Sequence, residues 1–326
     1  MTHTSLRRAL CLLVFLAVAT PAAAQLMADR LYAGVGRVIP VTAEVPGGLE
    51  GDVSIALLEA GTANELARAA AAAGPVDLAG LFPSLWGDDR AREVVYAQMF
   101  VGAEPVGPAL VIQPMLTPST ATQPSNPREA PRFQRAQLIF SGYRLYTDKY
   151  IRWTTSEGQI TYRLRPDIAP NTAFNYRHLV QGGFYTDIIF HRVVGGDRSF
   201  VIQVGDPTGQ GAGGPGYVVD LEPSSLPHDF GVLSMARTGD PTTNGSQVFV
   251  CLSRSGTAFL DGRYTAFGEA ISGAEVIRAI AATPVGPGDR PTNPPVLESA
   301  ELIDADPYGT GPAALPEQAR DAAQER

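Results

Sequence analysis

The chain has 326 residues, of which 44% are hydrophobic and 18% are charged, and its formal net charge is -8 at pH 7. This composition is typical of a globular protein with one large domain or two ordinary ones. The acidic balance argues against nucleic acids and anionic membrane surfaces as main partners. The 34 glycines and 27 prolines favour strands joined by many turns over a helical bundle.

The first 24 residues have the pattern of a signal peptide. Arg7 and Arg8 precede the apolar run ALCLLVFLAVA, and TPAAAQ offers a cleavage site after Ala24. We therefore expect an exported protein, periplasmic if its source is a Gram-negative bacterium and otherwise secreted, with no integral membrane segment after cleavage. Retention of the run as an anchor is the alternative. Cleavage would also remove Cys11, and Cys251 in QVFVCL is expected to be a small buried hydrophobic residue.

Residues 25–113 are predicted to form a β-rich module of unknown role. The runs VIPVTAEV, DVSIALLEA, REVVYAQMF and PALVIQPML are strand-like and are bounded by glycine and proline. ANELARAAAAAG, residues 63–74, is predicted to be a short helix. Residues 114–134 carry repeated prolines among small polar residues, which indicates a semi-extended linker.

Residues 135–304 are predicted to form a second domain, followed by a disordered tail at 305–326. QLIFSGYRLY could complete the first module or lead into the second domain, and YIRWTTSEGQITYRLRP is typical of a hairpin. One helix is predicted from Asn171, its cap, to Gly182. A second is predicted over residues 274–282, with Ser272 as its cap. Two helices that bracket a β-rich region indicate a barrel or sandwich with helical covers.

GQGAGG, residues 209–214, has the Gly-x-Gly-x-x-Gly spacing of a dinucleotide-binding loop. Pro207 precedes it and no helix can begin in PGYVVDLEP behind it, so the required context is missing. We expect instead a loop that needs positive φ or close approach of a ligand. His178, His191 and His228 lack metal-site spacing, and so no metal and no small-molecule cofactor are predicted.

Three stretches combine apolar strands with isolated polar groups. FHRVVGGDRSFVIQVGD contains Arg192 and Gln203, GVLSMARTGDPTTNGSQVFVCL contains Gln247, and AFLDGRYTAFGEAISG contains Tyr264. Singly, each such group is most simply a paired structural residue. Together and in this order, the stretches resemble the signature of the cyclophilin family of peptidyl-prolyl isomerases, over residues 150–303. The resemblance implies a mainly β fold, a closed eight-stranded antiparallel barrel capped by two helices, here preceded by the small β-rich module.

The resemblance also implies an activity, namely peptidyl-prolyl cis-trans isomerisation of proline-containing polypeptides, which would assist the folding of exported proteins. The catalytic residues it implies are Arg192, Phe200 and Gln203. Arg192 would donate a hydrogen bond to the prolyl nitrogen as the amide twists, and Gln203 would orient the substrate. The substrate-binding residues it implies are His191, Val201, Ala236, Arg237, Gln247, Phe249, Phe259, Leu260 and Tyr264.

The sequence departs from the family pattern near these residues. Val201, Phe259 and Tyr264 stand where methionine, tryptophan and histidine are common, and three extra residues lie between Arg192 and Phe200. The alternative function is therefore a catalytically weak module that binds proline-containing peptides. In that case the N-terminal module would carry the interaction role.

Overall fold

The computed structural model describes residues 25–45, 47–87, 93–134 and 137–316. The predicted signal peptide, whether cleaved or retained, and the tail beyond residue 316 lie outside the described residues. Within the described ranges, no helix is both long enough and apolar enough to span a bilayer.

The N-terminal region consists of two packed antiparallel sheets and a separate two-stranded sheet. Its strands are β1 (Gln25–Ala28), β2 (Tyr32–Gly34), β3 (Pro40–Glu44), β4 (Val53–Glu59), β5 (Glu65–Ala70), β6 (Gly74–Asp77), β7 (Val95–Val101), β8 (Glu104–Pro105), β9 (Leu110–Leu116), β10 (Thr120–Thr122), β11 (Arg132–Gln134) and β12 (Phe140–Thr147), with helix α1 (Leu78–Leu81) after β6. The larger sheet runs β2-β12-β9-β7-β4-β5, the smaller runs β1-β3-β6, and the separate two-stranded sheet is β10-β11. Leu26 and Val41 of the smaller sheet share a core with Ile55, Met99 and Ile112 of the larger.

The predicted helix at residues 63–74 is wrong, because Glu65–Ala70 forms strand β5. It pairs with β4 at the edge of the larger sheet. The guanidinium of Arg68 also packs 3.8 Å from the ring centre of Phe100 on β7. The preference of an alanine-rich run for a helix is at most about 0.7 kcal/mol per residue, so strand pairing and packing outweigh it.

Strand β12 belongs to the larger N-terminal sheet, whereas the sequence analysis placed residues 135–304 in the second domain. It pairs with β2 and β9, so QLIFSGYRLY completes the first module. The predicted linker at 114–134 also contains regular structure, since β9 continues to Leu116 and β10 pairs with β11. The N-terminal module therefore extends to Thr147.

The second region is an antiparallel barrel. Its described strands are β13 (Lys149–Thr155), β14 (Gly158–Leu164), β15 (Thr186–Ile189), β16 (Arg192–Val194), β17 (Val201–Val204), β18 (Val232–Met235), β19 (Val248–Cys251), β20 (Ala266–Ser272) and β21 (Val296–Asp304). They pair in the order β15-β21-β13-β14-β20-β18-β19-β17-β16. The two end strands are separated along the chain by Phe190 and His191 alone, so one bent segment holds both edges and closes the sheet. The predicted barrel is confirmed, and this bend divides one of its strands into β15 and β16.

Helices α2 (Pro170–Gln181) and α4 (Ala274–Ala281) pack on the barrel, and a short helix α3 (Arg254–Thr257) follows β19. Tyr176 of α2 and Ile277 of α4 are fully buried in the core that Trp153, Phe190 and Phe267 also fill.

Neither predicted N-cap is used, although Gly182 ends α2 as expected. The carboxylate of Glu222 accepts the backbone N–H groups of Asn171 and Thr172 at the start of α2, so a distant residue replaces the local cap. Helix α4 begins after Gly273, whose φ of 90° lies in the left-handed region.

The prediction of disorder is wrong for residues 305–316, because Tyr308 packs against the N-terminal module and Leu315 packs against the barrel core. Tyr308 stacks on Tyr96 with ring centres 3.6 Å apart, and its N–H donates to Oε1 of Gln98 at 2.9 Å. The guanidinium of Arg144 on β12 lies 4.0 Å from the ring centre of Phe174 on α2. These contacts tie the N-terminal module to the barrel.

Candidate active site

The candidate site lies on the outer face of the barrel strands. Alternate side chains of β17, Ile202 and Val204, enter the barrel core, and Gln203 between them points the other way. Strand pairing sets Arg192 opposite Gln203, and Gln203 opposite Phe249. A row of one cation, one amide and one aromatic ring therefore crosses β16, β17 and β19.

A second apolar cluster, separate from the barrel core, lies beside this row and is the candidate proline pocket. Phe249 and Tyr264 meet edge to face with ring centres 5.7 Å apart. Phe200 stacks on Phe259 at 5.6 Å, and Phe259 is 58% exposed at the rim. The same cluster also contains Val201 and Leu260, predicted to line the proline pocket, and Ala236, predicted to line the adjoining groove. The structure thus brings together the apolar residues that the sequence predicted for the pocket.

Arg192 lies beside this pocket and stays 39% exposed. Its guanidinium carbon is 6.0 Å from the ring centre of Phe200. Its Nη2 lies 3.7 Å from Oδ2 of Asp289, which is too long for a hydrogen bond. Arg198 is the closer partner of Asp289. Arg192 therefore keeps donors for a ligand, while Asp289 limits the directions in which it can point.

The extra residues between β16 and β17 form the contact to Asp289. They include a single 3-10 turn, Gly196–Arg198, which carries Arg198 to that carboxylate. The hydrogen bond from Arg198 holds the pKa of Asp289 below its usual value. Sequence reasoning missed Asp289 because no local pattern connects its loop to Arg192.

A chain of amides joins the row to the glycine-rich loop. Nε2 of Gln203 donates to Oε1 of Gln247 at 3.0 Å, and Nε2 of Gln247 donates to the carbonyl oxygen of Gly213 at 2.9 Å. Among the described residues, no donor is bonded to Oε1 of Gln203. That oxygen is available to accept a backbone N–H from a bound peptide.

The glycine-rich loop is built around the carboxylate of Asp206. This carboxylate accepts the N–H groups of Gly211 at 2.6 Å and of Ala212 at 3.0 Å. A Cβ on Gly213 would lie 2.1 Å from Oδ1 of Asp206, so only glycine fits there. Burial opposes ionisation of Asp206, but hydrogen bonds from the loop outweigh it and lower its pKa to about 2. The backbone N–H groups of this loop therefore bind the carboxylate of Asp206, an anion within the protein itself.

A groove of about 680 Å³ continues from the row along this loop, and Gln203, Ala236, Arg237 and Gln247 line it. Arg237 is held in place, since its guanidinium lies 4.7 Å from the ring centre of Tyr264 and donates to the carbonyl oxygen of Arg263. The predicted groove residues therefore meet along one surface.

His191 differs from its predicted substrate-binding role. It is 6% exposed, and a Cβ on Gly211 would lie 3.6 Å from its ring, so it packs beneath the glycine-rich loop. Burial lowers the pKa of His191, which favours the neutral ring. The structure gives it a supporting position with little surface for a peptide.

His228, which the sequence did not assign to the site, supports the pocket. Its Nδ1 lies 3.0 Å from Oδ1 of Asp261 and its Nε2 lies 3.0 Å from Oγ of Ser234. Its ring stacks against Phe249 with centres 6.0 Å apart. Burial lowers the pKa of His228. The signal in the sequence was a histidine before an apolar strand, but its partners Asp261 and Phe249 are distant from it in sequence.

The arrangement suits binding and hydrogen bonding more than covalent chemistry. Cys251 is fully buried, and burial raises the pKa of its thiol. In the part of the chain that the structure describes, no three His, Cys, Asp or Glu side chains come together as metal ligands.

Comparisons with known proteins address the barrel. Residues 150–302 match the family model described as cyclophilin type peptidyl-prolyl cis-trans isomerase/CLD. A peptidyl-prolyl cis-trans isomerase-like 1 of Aspergillus fumigatus is 37% identical over 155 residues, which cover 46% of this chain and 92% of that protein. A putative peptidyl-prolyl cis-trans isomerase of Staphylococcus saprophyticus is 34% identical, with 46% and 89% covered.

A longer relative and a solved structure are also similar. A peptidyl-prolyl cis-trans isomerase-like 2 of Cryptococcus neoformans is 35% identical over 64% of this chain, and the chain spans 38% of that protein's length. The crystal structure of a Cryptosporidium parvum cyclophilin type peptidyl-prolyl cis-trans isomerase is 32% identical, with a TM-score of 0.44 over 47% of this chain and 98% of that one.

Proposed function

The chain belongs to the cyclophilin-type peptidyl-prolyl cis-trans isomerase family, and from this premise we propose that it isomerises Xaa-Pro bonds in exported polypeptides. The observation that carries the proposal is the position of Arg192. It stands partly exposed beside an apolar pocket, and its ion pair with Asp289 is too long to occupy its donors. Donor and pocket are the two features that such a reaction needs.

Rotation about an Xaa-Pro bond is slow because resonance gives the C–N bond partial double-bond character, with a barrier of about 18–20 kcal/mol. In the twisted state the resonance is lost and the prolyl nitrogen regains a lone pair. A donor aimed at that nitrogen interacts with the twisted state and not with the planar one. No covalent bond to the protein forms, and no proton is transferred.

Arg192 supplies this donor. A hydrogen bond from a charged group is worth about 1.5–3 kcal/mol, which corresponds to about one to two orders of magnitude in rate. The rest of the acceleration comes from holding the peptide and excluding water. Phe249 and Leu260 would contact the proline ring, and Gln203 would accept a backbone N–H of the substrate.

Export remains part of the proposal and rests on the composition of residues 1–24 alone. Clients would then be polypeptides beyond the inner membrane. We propose that the N-terminal module serves the barrel by presenting or orienting clients.

One observation favours the weaker-enzyme alternative. Asp289 lies near Arg192, and a guanidinium drawn onto a carboxylate would be withheld from the prolyl nitrogen. In that case the pocket would bind proline and the rate would stay low.

The test is the exchange rate of a tetrapeptide with one Xaa-Pro bond, measured by NMR with the wild type, Arg192→Ala and a control. Arg152→Ala is a matched control, because Arg152 is also a strand arginine, is 37% exposed and forms an ion pair with Glu301. We expect Arg192→Ala to lower the rate constant kcat/KM by about 10- to 100-fold and the control to match the wild type. Equal rates for the wild type and Arg192→Ala would overturn the proposal.

A further inference from the structure

The segment that the sequence marked as a linker forms an arm beside the candidate groove. β10 and β11 pair from Thr120 opposite Gln134 to Thr122 opposite Arg132, which leaves residues 123–131 as a loop. The loop is held by its own hydrogen bonds, including one from Nε2 of Gln123 to the carbonyl oxygen of Glu129 at 3.0 Å. We call residues 120–134 the proline arm. It is part of the N-terminal region and lies outside the residues that match the family model.

The proline arm and the rim of the barrel enclose a cleft of about 320 Å³. The arm contributes Gln123, Pro127, Glu129 and Pro131, and the barrel contributes Arg237, Thr238, Phe259, Arg263 and Tyr264. Three of these barrel residues, Arg237, Phe259 and Tyr264, also belong to the candidate active site. The cleft therefore borders the candidate active site and shares these three residues with it.

The arm forms a wall of this cleft and does not fill it. Pockets for small ligands have volumes of about 300–1,000 Å³, so the space left is wide enough for one or two peptide side chains. Phe259 remains 58% exposed although the arm stands opposite it, and Pro127 on the arm is exposed as well. Apolar surface therefore remains open on both sides of the cleft.

The charges in the cleft select a type of side chain. Arg237 already donates to the carbonyl oxygens of Arg263 and Thr238, and Glu129 pairs with Arg132 at 3.5 Å. Among the residues that the structure describes, no carboxylate lies within ion-pair distance of Arg263. A bound segment with an acidic side chain would give this cation a partner.

We propose that the proline arm adds a binding subsite to the isomerase groove, which holds an extended client segment flanking the target proline and favours an acidic side chain at Arg263. This inference rests on the proposed function for the location of the target proline. It makes the N-terminal module a determinant of substrate choice for long polypeptides. A tetrapeptide, which occupies only the proline pocket and its immediate surroundings, would not sense the arm.

The test compares three peptides with the same central Xaa-Pro bond: a tetrapeptide, a 12-residue peptide with glutamates on both flanks, and the same peptide with glutamines. The arm is shortened by replacing residues 123–131 with Asn-Gly, which closes Thr122 and Arg132 as a two-residue hairpin. Both kcat/KM and affinity, the latter by fluorescence anisotropy, are measured for each peptide. We expect the shortened arm to weaken the glutamate peptide about fivefold and to leave the tetrapeptide unchanged.

Two point variants keep the test decisive if the shortened arm misfolds. Pro127→Trp adds bulk to an exposed position of the arm, and we expect it to weaken the long peptides selectively. Arg263→Gln should remove the preference for glutamate over glutamine, expected to be about two- to fivefold in the wild type. Equal effects on the tetrapeptide and the long peptides, or no effect on either, would overturn the inference.

The affinity measurement separates this inference from the proposed function. If the wild type isomerises none of the peptides but still binds the glutamate peptide more tightly than its shortened-arm variant, the proposed function fails and the subsite stands. If it isomerises all three peptides at rates that the arm does not alter, with unchanged affinities, the function stands and the subsite fails.

Discussion

Glutamines interrupt apolar strands in both regions of the chain, but the two sets of amides are used differently. Gln98 in the N-terminal sheet is fully buried, the two N–H groups of its Nε2 are shared among three backbone carbonyl oxygens, and its Oε1 accepts a backbone N–H. Gln203 in the barrel is partly exposed and, among the described residues, its side chain bonds only to the side chain of Gln247. An amide on an apolar strand can therefore bind a ligand only when part of its hydrogen-bonding capacity is not used within the protein.

We expect the largest effect from replacing Gln98, whose side-chain amide has no hydrogen-bonding capacity left for a ligand. Gln98→Leu leaves the carbonyl oxygens of Met99, Val106 and Gly107 without this donor, so we expect the free energy of unfolding to fall by about 2–4 kcal/mol. Isomerisation of a tetrapeptide should not change at a temperature where the protein stays folded. Urea denaturation and the NMR exchange assay check the two parts. If Gln98→Leu kept its stability but lost its activity, Gln98 would be a functional residue and not a structural one.

Gln203→Leu is the converse change and should affect rate more than stability. It removes the acceptor for the substrate backbone, so we expect kcat/KM to fall about tenfold. The free energy of unfolding should change by less than about 1 kcal/mol, because the side chain makes few internal bonds. If stability falls and the rate is kept, the two glutamines do not differ as described.

The stability of the protein should depend on pH through Asp148, which lies at the junction of the two regions. Asp148 lies between β12 and β13, and burial raises its pKa to about 7. The pKa of Asp148 in the folded state is above the unfolded value of about 3.9. The neutral carboxyl group therefore contributes fully to stability below about pH 3.9, and this contribution is lost as the pH rises through about 7. Asp148→Asn should therefore raise Tm relative to the wild type at pH 8 and change it little at pH 4. An equal shift at both pH values would contradict this.

The smallest expected effect distinguishes an active barrel from a binding module. Asp289→Ala removes the charged group that limits the directions of Arg192, so we expect kcat to fall about threefold with little change in KM. If Asp289 instead withholds the guanidinium, kcat should rise. Steady-state kinetics at several tetrapeptide concentrations separate the two results.

The sequence predicts the barrel and the candidate site residues because three stretches, taken together and in order, resemble those of a known family. Arg192, Gln203 and Gln247 each stand out within one apolar stretch, and strand pairing then sets them side by side. Asp289 and His228 gain their roles from partners far along the chain, which no local pattern shows.

The N-terminal region resists prediction for a related reason. Strand β5 has a helix-like composition and forms only because β4 pairs with it. The proline arm has the composition of a linker, and its role as a subsite follows only from its strand pairing and its position opposite Phe259. Tyr308 is ordered by Tyr96 and Gln98, which belong to another region of the chain.

The central claim is that Arg192 acts on the twisted amide and not on the resting peptide. The most direct measurement is NMR line-shape analysis of a tetrapeptide at saturating and subsaturating concentrations of the wild type and Arg192→Ala, which gives affinity and on-enzyme exchange separately. We expect the two affinities to agree within about a factor of two and the exchange on Arg192→Ala to be slowed by about 10- to 100-fold. Weaker binding with an unchanged exchange rate would contradict it.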